Sequence, residues 1–133
     1  MKMNYLKTGN CTFKIRNSLK EQTENIPDGY GVYKIYANSK DGELLYIGKG
    51  GTIQNDGSFK KQNLKERINN KQDGVKRQEF FSQKLSEESD ISQLFIEWYI
   101  IDTKQYIPGY YEAALIQEYY QQHARLPRWN LCF

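Results

Sequence analysis

The chain has 133 residues, enough for one domain with a single real core. No stretch approaches the roughly 20 consecutive apolar residues that a membrane span requires, so no membrane association is expected. A formal charge of +3 is only mildly basic and does not by itself mark a nucleic-acid binder.

Residues 1–10 carry lysines but no apolar segment of the secretory kind. The two cysteines, Cys11 and Cys132, stand at opposite ends with neither a C-x-x-C spacing nor a nearby histidine. Both features point to a cytoplasmic protein with free thiols. Residues 1–28 are polar and irregular, and read as an extension packing on or beside the core. Within them, 11–15 alternates enough for a short strand, and 18–24 suits a short helix that Pro27 ends.

The main domain is expected over 29–133. Val, Ile and Tyr enrichment at 31–36 suits a strand. Residues 39–42 form a hairpin turn, with Asp41-Gly42 supplying the positive φ that such a connection favours, and 43–48 form the return strand. A Gly, Asn and Asp-rich loop follows at 50–58. Leu64, Arg67, Ile68 and Lys71 stand at i, i+3, i+4 and i+7, which places them on one helix face. A second helix is expected over 75–85, and the apolar, β-rich run 94–101 reads as a third, central strand. The last helix spans about 110–124, before Pro127 forces the chain to turn. This β-β-α-α-β-α order describes an α/β (α+β) sandwich: a three-stranded antiparallel sheet flanked by helices.

Charge is unevenly spread. Lys49, Lys60, Lys61, Lys65, Arg67, Lys71, Lys76 and Arg77 fall in one stretch, and Glu87, Glu88 and Asp90 follow it. A basic middle of this kind can track a phosphate backbone, although a lysine-rich helix is more often only a solvated face.

The hairpin carries a more specific signal. Gly31-Val32-Tyr33 on one strand and Tyr46-Ile47-Gly48-Lys49 on the next resemble the paired strand signature of the GIY-YIG endonucleases, with Val in place of the first Ile. Three later segments resemble that family in the same order: Leu64-Lys65-Glu66-Arg67, Glu112-Ala113-Ala114-Leu115-Ile116 and Pro127-Arg128-Trp129-Asn130. Each is weak alone; together they span residues 31–130.

The resemblance implies hydrolysis of a DNA phosphodiester with Mg²⁺, for which Mn²⁺ would substitute. It makes Tyr33 the general base, with Tyr46 beside it holding the water or the phosphate. A free phenol titrates near 10, so a base working at neutral pH needs roughly 4 kcal/mol of preferential phenolate stabilisation. Arg67 would fork onto the phosphate oxygens, and Lys49, directly after Gly48, would add a point charge. Gly48, Lys71 and Asn130 would contact the substrate, Lys71 standing where many relatives carry a histidine and Asn130 bracing the site. A glutamate would hold the metal, and one carboxylate suffices because hard cations keep several waters.

Two glutamates compete for that role. At about 100° per residue, Glu112 falls in a stripe with Ala113, Ile116, Tyr119 and Tyr120 that should face the sheet. Glu118 falls on the polar side with Ala114, Gln117 and Gln121, so the geometry favours Glu112. His123, the only histidine, is expected to be a surface or packing residue. The second hypothesis is a nucleic-acid-binding module that keeps the fold with little or no cleavage. A compact restriction-type role is the lean, with target recognition left to residues 1–28, the 50–58 loop, a homodimer partner or another subunit.

Overall fold

Alternating apolar residues in β2 (Gly31–Ala37) and β3 (Leu44–Gly50) build an antiparallel hairpin, and β4 (Leu94–Ile100) pairs with the other side of β2. The computed structural model describes residues 3–60, 62–71 and 74–133; Lys61 lies outside them. The hairpin's positive φ belongs to Asn38 (φ 70°) rather than to Asp41-Gly42. The Asn38 amide donates to the Asp90 carbonyl at 3.0 Å and its oxygen accepts from the Ser92 N–H at 2.8 Å, so this turn is fixed by the loop before β4. Gly42 serves close approach instead: a Cβ there would fall 1.7 Å from the Ala37 carbonyl oxygen.

The sheet has four strands, not the three expected, in the order β1-β4-β2-β3. The fourth is β1 (Lys7–Phe13), antiparallel to β4 at the edge, so part of the 1–28 segment belongs to the sheet itself. The short strand expected at 11–15 overlaps it, but its earlier start at Lys7 and its place in the sheet were not expected. Gly9 lies across from Trp98, whose ring would stand 2.3 Å from any Cβ at that position. A bare backbone under an indole therefore replaces the apolar alternation that a strand normally shows.

The helices α1 (Leu19–Gln22), α2 (Leu64–Asn69) and α3 (Arg77–Glu87) cover one face of the sheet, where Phe13, Tyr33, Ile35, Ile68, Phe81 and Ile96 form the larger core. On the other face α4 (Pro108–His123) packs Tyr111, Leu115, Ile116 and Tyr119 against Val32 and Ile47. Among the described residues no helix is long and apolar enough to cross a membrane.

Because β3 is an edge strand with α2 on one side and α4 on the other, a cleft forms along it. Two features set its walls. An Asn63–Glu66 capping box starts α2, and Gly50 lets that start press onto β3: a Cβ at Gly50 would lie 2.5 Å from the Leu64 Cα. The closing segment runs along the free edge of β3, with the Trp129 N–H donating to the Leu45 carbonyl at 2.8 Å. Arg128 fastens it through ion pairs to Glu43, Glu88 and Asp90.

Candidate active site

Four of the expected catalytic residues meet in the cleft beside β3, a hollow of about 420 Å³. Tyr46 and Lys49 come from β3, Arg67 from α2 and Glu112 from α4, with Thr52, Lys60 and Gln62 from the intervening loop. The Lys49 ammonium donates to the Gly51 carbonyl at 3.4 Å and to the Thr52 hydroxyl at 3.3 Å, both long contacts. The half-buried Arg67 guanidinium makes no hydrogen bond among the described residues, so its donors face the cleft unengaged.

Burial pushes the Glu112 carboxyl above the usual carboxylate range, and the charges of Lys49 and Arg67 oppose that shift. Glu112 sits at the margin of the buried α4 stripe. The stripe itself runs through Tyr111, Leu115, Ile116 and Tyr119; Tyr120, expected to share it, is 54 % exposed. Glu118 is exposed and lines a different hollow with Lys34 and Tyr36.

Tyr33 does not reach the cleft. Its side chain is fully buried behind Tyr46, the ring centres 5.8 Å apart and the planes tilted by 40°. Burial drives its phenol well above the ordinary tyrosine range, the opposite of what a general base requires. Its hydroxyl oxygen instead accepts a 2.9 Å hydrogen bond from Nη2 of Arg77. The sequence offered Arg77 only as one cation of a basic stretch, yet it is 3 % exposed. Its guanidinium lies 5.1 Å from the ring centre of Tyr46, 5.5 Å from Phe80 and 4.9 Å from Phe81. No local pattern announces this residue, because its partner is 44 positions away.

Three expected substrate contacts are placed otherwise. Gly48 faces the tyrosines rather than a ligand: a Cβ there would stand 2.7 Å from both the Tyr33 and Tyr46 rings. Asn130 uses its amide on the backbone of Ile47, accepting from the N–H at 2.9 Å and donating to the carbonyl at 3.0 Å. It thus acts as one more rung on the β3 edge. Lys71 falls beyond α2, which ends at Asn69 with Asn70 as its cap, and it lines a neighbouring groove instead. His123 stacks on Tyr119 at 4.1 Å between ring centres, away from the cleft.

The cleft suits a hard divalent cation in a limited way. Among the described residues Glu112 is its one lining carboxylate and accepts no hydrogen bond, while Thr52 and Gln62 offer neutral oxygens. No group of three or more His, Cys, Asp or Glu side chains gathers among the described residues. Such an ion would therefore complete its shell with water and substrate oxygens. Comparison with protein-family models, with curated proteins and with solved structures returns no match.

Proposed function

We propose that this chain is a metal-dependent endonuclease with a GIY-YIG-like fold that hydrolyses DNA phosphodiester bonds in the cleft beside β3. One observation carries the reading: Tyr46, Lys49, Arg67 and Glu112, from three elements and 66 positions of sequence, line a single hollow. A packing-only origin for these residues would not gather two cations, a phenol and a half-buried carboxylate around open space.

In this reading the scissile phosphate sits between Arg67 and Lys49. Arg67 donates its fork to the non-bridging oxygens, which gain charge in the transition state, and Lys49 adds attraction there. Tyr46 is the only tyrosine lining the cleft among the described residues. It orients the attacking water and acts as its general base while the new P–O bond forms and the bond to the 3′-oxygen breaks. Tyr33 and Arg77 stand behind and hold the Tyr46 ring in place. Glu112 would hold a Mg²⁺ or Mn²⁺ ion, which when bound would supply positive charge to the phosphate and the departing oxygen.

The second reading, a binding module with little cleavage, draws on the burial of Tyr33, which leaves one phenol at the cleft where the family resemblance implies two. Supercoiled plasmid incubated with the chain in Mg²⁺, Mn²⁺ or EDTA separates the two. Metal-dependent nicking, lowered roughly 10²–10³-fold in Arg67→Ala, supports the endonuclease. Binding without nicking supports the module.

A further inference from the structure

The cleft continues past Gln62 into a larger groove of about 810 Å³ between α1, α2 and the start of α3. Its walls carry Lys20 from α1, Lys65 from α2, Lys71 just beyond α2 and Lys76 at the head of α3. Lys65 donates to the Glu24 carbonyl at 3.0 Å. The ammonium groups of Lys20, Lys71 and Lys76 make no hydrogen bond or ion pair among the described residues. Among the described residues the groove's one carboxylate, Glu66, is turned to the Asn63 N–H in the capping box.

Other hollows differ. The one on the far side of the sheet mixes Lys34 and Arg125 with Glu43 and Glu118. The one on the other side of Tyr46 holds Arg128, already paired with three acids, Lys84, already paired with Glu88, and the buried Arg77, which donates to Tyr33. Among the described residues, cleft and groove together bring seven cationic side chains against two carboxylates, in a chain whose total charge is only +3. The positive charge is thus concentrated on one continuous surface leading away from the candidate site.

Resting on the endonuclease reading, we infer that this groove binds the phosphate backbone of the DNA flanking the cut, with Lys20, Lys71 and Lys76 each facing a phosphate. The three lysines come from separate elements but share one trough, which suits a linear polyanion better than a single phosphate. They hold no base-reading geometry, so the groove gives affinity and register without sequence preference. The strand enters beside α1, passes Gln62 and reaches Arg67 and Lys49 at the cleft.

The test is fluorescence anisotropy of a short labelled DNA duplex in EDTA, at a series of potassium chloride concentrations, with the full chain. The variant combines Lys20→Gln, Lys71→Gln and Lys76→Gln; a control combines Lys7→Gln, Lys40→Gln and Lys104→Gln, three exposed cations elsewhere. Each lost phosphate contact flattens the plot of log K against log salt by about 0.9, so the groove variant should flatten it by about 2 to 3 and the control by far less. Turnover of bis(p-nitrophenyl) phosphate with Mn²⁺, which needs only the cleft, should stay within about twofold of wild type in both. An unchanged slope in the groove variant, an equal loss in the control, or no duplex binding by the wild type would each overturn the inference. Failure of the endonuclease reading looks different: no diester hydrolysis by the wild type, with the slope still flattened by the groove variant.

Discussion

Replacing Arg77 by Met, alone and together with Tyr33→Phe, measures the buried contact behind the cleft. Either single variant mixes several effects. Removing the guanidinium forfeits its ring contacts with Tyr46, Phe80 and Phe81, but also relieves the cost of holding a cation at 3 % exposure. The double-mutant cycle cancels those shared costs and leaves the coupling between the two side chains. Here the coupling is one charge-assisted hydrogen bond of 2.9 Å in a fully buried setting. Such bonds contribute about 1.5–3 kcal/mol. With a urea slope of about 1.5 kcal/mol per molar, this corresponds to a non-additivity of about 1–2 M in the midpoint. Urea unfolding of the four proteins, followed by circular dichroism, gives the value. A coupling below about 0.5 kcal/mol would refute the claim that Arg77 holds Tyr33.

Gly48→Ala should place a Cβ 2.7 Å from two rings, one of them sealed in the core. The overpacking costs about 1–3 kcal/mol and lowers Tm by roughly 4–12 °C in a scanning melt; an unchanged Tm would contradict the close approach. Glu112→Gln should stabilise the chain at neutral pH. The Glu112 carboxyl titrates above its unfolded value because of burial, so its ionised form disfavours the fold. The stability it allows is fully present below the unfolded pKa and is lost as pH rises through the folded one. The gap between variant and wild type in a Tm series should therefore open as pH rises from the unfolded pKa to the folded one, hold steady above it and close in acid, and a gap that widens in acid would reverse the sign.

The hairpin and the last helix were legible because their signals are local. Val32, Ile35 and Ile47 supply β-branched residues at buried positions, and Pro108 and Pro127 bracket α4. The grouping of Tyr46, Lys49, Arg67 and Glu112 was an expectation of the family resemblance, not of any local pattern. What escaped depends on contacts distant in sequence. The strand expected at 11–15 is part of β1, but its start at Lys7 and its pairing escaped: they depend on the edge that β4 offers and on Trp98 covering Gly9. Lys71 extends the i+7 pattern on paper, but Asn69 and Asn70 are poor helix formers, and α2 stops at them first. Tyr33 and Tyr46 look equivalent in the hairpin. They differ because Tyr33 lies on the doubly paired strand β2 under α3, whereas Tyr46 lies on the edge strand β3. Arg77 is indistinguishable from its lysine neighbours until the fold brings Tyr33 to it.

The most direct measurement is plasmid nicking in Mg²⁺ by Glu112→Gln and Glu118→Gln, purified and assayed side by side with wild type. The two residues share one helix, but only Glu112 lines the cleft with Arg67 and Lys49. The account predicts that Glu112→Gln abolishes metal-dependent nicking while Glu118→Gln cuts at the wild-type rate. Loss in Glu118→Gln with activity kept in Glu112→Gln would contradict it, and would place the chemistry on the opposite face of α4.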